Sequence, residues 1–214
     1  MITKDTIKVL SIDFDYFQNT TRELLNYYPD KLDVQPEIGE ALWKIQYKLY
    51  GNKVNQVKLN KELFEDLKEL LEVQNENTKV MITEGHEKIY SFITSNFKGK
   101  QIEIYNIDMH HDIVNDSTEM DCGNWISHIM KKFKIKLNWM CRQISTDGES
   151  WKIKNQFKMY IDKIIGFEAD LIFICRSDPW TPPHLDKYFS EIISICNEKF
   201  NNIEVEENVT LERV

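Results

Sequence analysis

The sequence lacks the cysteine spacing of a structural zinc site or of a disulfide framework. Its four cysteines, Cys122, Cys141, Cys175 and Cys196, lie far apart, and none belongs to a Cys-x-x-Cys pair. Such isolated cysteines are typical of proteins in a reducing compartment. We therefore expect four reduced thiols that mostly pack in the core.

Long apolar runs and basic clusters are also missing. No stretch reaches the roughly 18 apolar residues that a membrane-spanning helix needs, and the first residues do not resemble a secretory signal. The net charge is −8, and no long Lys/Arg run offers a basic face for nucleic acid. We expect a cytoplasmic protein that binds neither nucleic acid nor membranes.

No internal repeat and no low-complexity linker divides the 214 residues, a length that suits one hydrophobic core. We predict a single domain over residues 1–200 and a polar, loosely docked C-terminal tail over residues 201–214. Strand-like runs alternate with amphipathic helices, which predicts an α/β fold with three αβα layers around a mostly parallel sheet. The predicted strands are 7–14, 79–83, 101–108, 134–140 and 171–176, and the predicted helices are 36–50, 61–73, 87–97, 124–132 and 182–199.

Metal-ligand side chains stand at the ends of three of these strands. They are Asp13 and Asp15, then His86, and then Asp108, His110 and Asp112. Residues two apart on an extended strand point the same way, so the members of each run are expected to project together. Open α/β sheets bind ligands at the carboxyl ends of their strands. The three segments together offer four carboxylates and two imidazoles, enough for two divalent cations.

This ligand set favours manganese. Four carboxylates and two neutral imidazoles carry a charge of about −4, which two divalent cations balance. Oxygen-rich coordination favours Mn²⁺, with Zn²⁺ or Fe²⁺ as alternatives. A pair of such ions can hold a bridging water and supply hydroxide near neutral pH.

The same segments resemble the arginase–deacetylase superfamily. Asp108-Met-His110-His-Asp112 matches the Asp-x-His-x-Asp signature of arginase-type ureohydrolases, and Asp13-Phe-Asp15 resembles their Asp-x-Asp ligand pair. His86, which follows a glycine, resembles their isolated first histidine. The Asp-x-Asp strand follows the Asp-x-His-x-Asp strand in those families but precedes it here, which implies a permuted connection or a different topology.

A smaller branch of this superfamily, which contains peptide arginases, is more similar still. Its members have segments like Gly85-His-Glu87, Asn124-Trp-Ile126, residues 10–17 and Cys175-Arg-Ser177 with a proline soon after. The resemblance implies an arginase-like fold and a metal-dependent hydrolase acting on C–N bonds. The substrate would be the guanidinium of arginine, in a peptide rather than as the free amino acid, cleaved to ornithine and urea by a metal-bridging hydroxide.

The resemblance also implies roles for the residues of the site. The six metal ligands would be Asp13, Asp15, His86, Asp108, His110 and Asp112. Asp15 would also shuttle protons, because one bridging aspartate does so in the families it resembles. His110 and Glu87 are the other catalytic candidates.

A guanidinium substrate also needs an acidic and aromatic pocket. Glu84 and Asp178 could each accept a bidentate hydrogen bond from it. Trp180 could stack on the guanidinium or on its peptide. Arg176 could orient a carboxylate of the site or of the substrate, and Asn124 is a further candidate for substrate binding.

Other interpretations stay open. A deacetylase-like amide hydrolase would retain a single zinc and act on an amide, and a non-catalytic relative would use the carboxylates to hold a structural cation. A binuclear phosphoesterase is disfavoured because Lys and Arg are scarce near the predicted ligands. The partner would be an arginine-containing peptide or a small guanidino or amide compound. The sequence does not define an oligomeric state.

Overall fold

A computed structural model describes residues 2, 4–29, 36–113, 119–142, 158–159, 161, 164, 166–210 and 212–213. The strands are β1 (Thr6–Asp13), β2 (Gln18–Asn19), β3 (Lys58–Leu59), β4 (Lys79–Thr83), β5 (Gln101–Ile107), β6 (Lys134–Met140), β7 (Lys158–Met159), β8 (Leu171–Cys175) and β9 (Asn202–Val205). The α-helices are α1 (Arg22–Leu25), α2 (Pro36–Val54), α3 (Lys61–Glu72), α4 (Ile89–Asn96), α5 (Trp125–Lys132) and α6 (Asp186–Lys199).

Seven strands of the described chain form one sheet in the order β7-β6-β5-β1-β8-β4-β9. Every neighbouring pair in it is parallel. The short strands β2 and β3 pair separately and antiparallel. Helices cover both faces of the sheet, so the predicted three-layer α/β fold is confirmed.

The central strand β1 separates two hydrophobic cores because its side chains alternate between the faces of the sheet. Ile7 and Val9 belong to a core that α4 and α5 cover. Leu10 and Ile12 belong to a second core that α3 and α6 cover. The candidate ligands lie at the carboxyl ends of the strands, on the face of the sheet that α4 and α5 cover.

Helix α3 shows how local sequence sets an element. Asn60 caps its first turn, with the side-chain oxygen accepting a hydrogen bond from the Leu63 N–H at 3.3 Å. Its buried side chains recur at helical spacing and pack on the sheet; they are Phe64, Leu67, Leu70 and Leu71. The sequence predicts the Asn60 cap and an apolar stripe of Leu63, Leu67, Leu70 and Leu71. The cap and three of these leucines are as predicted, whereas Phe64 is buried and Leu63 is half-buried.

Helix α2 differs from its sequence pattern. Apolar residues at helical spacing predict a core-facing stripe, yet Ile38, Ile45 and Leu49 are exposed. The buried anchor is Trp43, whose indole N–H donates to the Asp178 carbonyl at 2.7 Å. The helix therefore turns its Trp43 face inward, where burial of the large ring and the indole hydrogen bond both stabilise the packing.

The C-terminal segment is docked more firmly than the polar composition predicts. Asn202–Val205 forms β9, which pairs parallel with β4 along the edge of the sheet. Arg213 is buried and its guanidinium contacts Asp186 at 2.7 Å. Backbone pairing, the ion pairs of Arg213 with Asp186 and Asp178, and the buried Val209 side chain hold this segment.

The sequence predicts a loop over residues 18–36, and its described part contains β2 and the short helix α1. Residues 30–35 lie outside the described residues, as does most of the stretch 143–165. Within the described chain, no helix combines the length and the apolar composition needed to cross a bilayer.

Candidate metal centre

Strand register brings the predicted ligands to one place. Ile12 of β1 pairs with Ile107 of β5, so Asp13 and Asp108 follow as neighbours at the carboxyl edge of the sheet. Asp13 also pairs directly with Cys175 of β8 on its other side. Since neighbouring strands lie about 4.8 Å apart, three potential ligands stand side by side on the same face.

His86 reaches the same edge through a 3-10 turn, His86–Lys88, which follows β4. Its Nδ1 lies 3.3 Å from Oδ2 of Asp108 and 3.3 Å from Oδ2 of Asp112, and 3.4 Å from Oδ2 of Asp13. One imidazole nitrogen therefore faces three carboxylate oxygens.

A second histidine faces the other side of the same aspartate. His110 Nδ1 lies 3.2 Å from Oδ2 of Asp15 and 3.5 Å from Oδ1 of Asp108. The two oxygens of Asp108 are thus turned towards different imidazoles. Three compact groups of potential ligands occur among the described residues. Asp108 belongs to two of them, one with His86 and Asp112 and the other with Asp15 and His110, while the third contains Asp13, His86 and Cys175.

Asp15 and Asp112 reach the site in a different way from the strand alternation that the sequence suggests. Asp15 lies in a 3-10 helix, Phe14–Phe17, and its backbone N–H donates to Oδ1 of Asp13 at 2.9 Å. Asp112 has a positive φ of 54°. Turns after β1 and β5, rather than continued extended chain, therefore aim these carboxylates at the site.

The centre is almost closed to solvent. The ligand candidates are buried except for the His110 side chain, which is 27% exposed. Oδ2 of Asp15 has no hydrogen-bond partner, although it is fully buried. Burying a carboxylate oxygen without a hydrogen bond is costly unless a cation compensates for it.

The charges of neighbouring ligand candidates shift one another's pKa values in this cluster. Burial and the neighbouring Asp13 raise the pKa of Asp15 to about 8. Burial would lower the pKa of His110, but Asp15 and Asp108 raise it well above its usual value. The pKa of His86 is likewise raised, against the effect of burial, by Cys175, Asp108 and Asp13. Protons on these groups balance the carboxylates in the cation-free protein.

The pKa values of Asp108 and Asp112 move in opposite directions. Burial favours a higher pKa for Asp108, yet hydrogen bonding to His110 and His86 holds it well below its usual value. The pKa of Asp112 is raised by burial and by the charge of Asp108. The shared carboxylate is therefore the one most strongly held in its anionic form.

Several supporting residues could not be assigned from the sequence alone. Ser11 Oγ lies 2.6 Å from Nε2 of His86, and the Asn106 amide donates to Oδ2 of Asp108 at 3.3 Å. The Trp125 indole N–H donates to Oδ2 of Asp112 at 2.6 Å. Ser11 and Asn106 interrupt apolar strands two residues before a ligand, and this was the available signal.

Glu84 and Asp178, the two carboxylates predicted to bind the substrate guanidinium, face an arginine of the protein itself. Arg176 donates to both carboxylate oxygens of Asp178, at 2.6 and 3.1 Å, and approaches Oε1 of Glu84 at 3.4 Å. Arg213 also lies 3.5 Å from Asp178. Burial, together with the charge of Asp178, raises the pKa of Glu84 to about 7. Oε2 of Glu84 has no hydrogen-bond partner.

The other predicted site residues have different surroundings. Trp180 packs against His110 with ring centroids 4.6 Å apart, at the exposed side of the centre. The Asn124 side chain joins a local turn, accepting from the Asp121 N–H and donating to the Glu119 carbonyl. The Glu87 carboxylate lies over Gly85, where a Cβ would collide with it.

Comparison of the chain with protein-family models, with curated proteins and with solved structures found no match. What the site can do therefore follows from its residues. Buried groups of aspartate, histidine and cysteine in the described chain are arranged so that they could hold a metal ion. Oxygen and nitrogen ligands of this kind suit divalent cations that activate water.

Proposed function

We propose that this protein is a hydrolase that uses two divalent cations, Mn²⁺ foremost, to cleave the guanidinium of an arginine side chain in a peptide. The products are ornithine and urea. The observation that carries the proposal is the position of Asp108, whose Oδ2 lies 3.3 Å from His86 and whose Oδ1 lies 3.5 Å from His110. A carboxylate that faces two ligand groups is the element that two neighbouring cations require.

The residues present fit a pair of cations. Oδ2 of Asp15 is buried, makes no hydrogen bond and lies 3.2 Å from Nδ1 of His110, so a cation bound by both atoms would compensate for its burial. The four carboxylates among the six predicted ligands match the charge of two divalent cations. When bound, such a pair supplies a hydroxide nucleophile near neutral pH.

We propose that the substrate enters beside His110. This is the partly exposed ligand candidate, and Trp180 packs against its ring. The indole could stack on a planar guanidinium that approaches the centre from this side. Asp15, which lies 3.2 Å from His110, is the proposed carrier of a proton to the leaving amine.

Recognition of the substrate guanidinium requires a carboxylate oxygen that no protein group already binds. Asp178 is already bound on both oxygens by Arg176, whereas Oε2 of Glu84 has no hydrogen-bond partner. We assign Glu84 as the better guanidinium acceptor of the two. Arg176 then holds the Asp178 carboxylate in place. We assign Asn124 and Glu87 supporting roles only.

Urea release from Mn²⁺-loaded protein tests the reaction directly. Arginine-containing peptides should release urea, and free arginine should release less. Asp108→Asn and His110→Ala should abolish release, while His128→Ala, a histidine of α5 that belongs to neither ligand group, should retain it. Protein that holds two cations but releases no urea from any arginine peptide would reject the proposal.

A single-zinc amide hydrolase is the second candidate. His86, Asp108 and Asp112 by themselves form a compact set of one imidazole and two carboxylates. One zinc per chain, together with cleavage of acetyl-lysine peptides, would support this reaction. Two manganese ions per chain, together with urea release, would support the first.

A further inference from the structure

We propose that Cys175 is a metal ligand, so that one of the two cation positions contains a sulfur donor. This inference rests on the proposed metal centre, though not on the reaction assigned to it. Its consequence is that the two positions select different metals. One would favour Zn²⁺, Fe²⁺ or Co²⁺, and the other, built from Asp15, Asp108 and His110, would favour Mn²⁺.

The position of Cys175 in the sheet is the first argument. It ends β8, where it pairs with Asp13 on one side and with Thr83 on the other. His86 follows Thr83 by three residues. Cys175 therefore stands between the two strands that deliver an aspartate and a histidine to the centre.

Distances give the second argument. One ligand atom each from Asp13, His86 and Cys175 lie within 4.8 Å of one another, and all three residues are buried. A single ion placed among atoms that close can contact all of them with only small side-chain adjustments. A zinc–sulfur bond of about 2.3 Å and a zinc–nitrogen bond of about 2.0 Å fit within such a triangle.

The neighbours of Cys175 distinguish it from Cys196, which is equally buried. Both cysteines belong to hydrophobic cores, and Cys196 of α6 has the place of a small apolar group. Cys175 lies at the end of β8, beyond Leu171 and Phe173, where the neighbouring strands carry Asp13 and Thr83. Among the described residues, Cys175 is the one cysteine that joins a potential ligand group.

Cobalt titration of the metal-free full-length protein tests the assignment. Thiolate coordination to Co²⁺ gives an intense ligand-to-metal absorption in the near ultraviolet, which oxygen and nitrogen ligands do not give. Wild-type protein should develop this band as Co²⁺ is added. Cys175→Ser should lose it, whereas Cys196→Ser, which removes an equally buried thiol, should keep it.

X-ray absorption at the zinc edge gives a second measurement that needs no variant. Wild-type protein loaded with Zn²⁺ should show one sulfur neighbour at about 2.3 Å. A shell of only oxygen and nitrogen, a cobalt band that persists in Cys175→Ser, or no cobalt binding at all would overturn the inference. Neither measurement involves turnover, so protein that shows the sulfur ligand but releases no urea would reject the proposed reaction alone.

Discussion

The hydroxyl oxygen of Ser11 lies 2.6 Å from Nε2 of His86, on the side of the ring opposite the carboxylates. If Nδ1 binds a cation, the ring proton must sit on Nε2, and it is then donated to Ser11. The serine hydroxyl can accept this proton, so the contact suits the tautomer that coordinates metal. Such contacts hold a ligand imidazole in its orientation and raise its basicity.

Replacing Ser11 with alanine should weaken Mn²⁺ binding by about 10- to 100-fold, because the imidazole loses the hydrogen bond that holds its ring in orientation. Isothermal titration of the metal-free protein measures this directly. Ser127→Ala is the matched control, since its buried hydroxyl has no hydrogen-bond partner. Equal Mn²⁺ affinity in the Ser11 variant and the control would show that the contact has no such role.

Metal binding should release protons. The pKa of Asp15 is raised to about 8, and the pKa values of His86 and His110 are raised well above their usual value. At neutral pH these groups hold protons that a cation must displace, so Mn²⁺ affinity should rise with pH. Calorimetry in two buffers of different ionisation enthalpy counts the protons. Binding that releases none, with an affinity independent of pH, would contradict the electrostatic description.

His184 should make folding sensitive to acid. Its Nε2–H donates to the Val57 carbonyl at 2.8 Å, and its Nδ1 accepts from the Tyr47 hydroxyl at 2.5 Å. Burial, aided by the charge of Lys58, lowers its pKa. The unfolded chain then binds this proton more readily, so the stabilisation is complete above about pH 6.5 and is lost as pH falls below that value.

The measurement is the urea midpoint at about pH 7.5 and at about pH 5.5. Wild-type protein should lose more stability across this interval than His184→Gln, whose side chain does not titrate. The difference between the two proteins isolates His184 from the carboxylates that titrate in the same range. Parallel pH profiles would mean that His184 is not buried in its neutral form.

Arg213 should anchor the C-terminal segment. It donates to Asp186 at 2.7 and 3.1 Å and to the Thr181 carbonyl at 2.9 Å, and it is buried. Arg213→Ala leaves Asp186 with less compensation and should lower the free energy of unfolding by about 3–5 kcal/mol. Glu212→Ala, at the exposed neighbouring position, should change it by less than about 0.5 kcal/mol. Equal denaturation midpoints for the two variants would exclude this role.

The sequence was sufficient to predict the parallel α/β fold and the residues that meet at its carboxyl edge. Alternating apolar runs identify strands, and a ligand just beyond a strand lies at the sheet rim whatever the strand order. Position along the chain therefore mattered less than position along each strand. This is why Asp13, early in the sequence, meets Asp108.

Other features depend on contacts that no local pattern encodes. The pairing of β9 with β4 joins a polar segment to the sheet through its backbone. The exposed stripe of α2 follows from how Trp43 packs, and Cys175 became a candidate ligand only when the register placed it beside Asp13. The spacing of apolar residues and the residue types would be the same whether or not these contacts formed. Tertiary packing therefore determines these features.

Anomalous diffraction from crystals grown with Mn²⁺ tests the central claim most directly. We expect two peaks about 3.5–4 Å apart, one on each side of the Asp108 carboxylate. One should contact His86 and the other His110. A single peak, or two peaks with Asp108 outside both coordination shells, would contradict the binuclear centre and the hydrolase proposed from it.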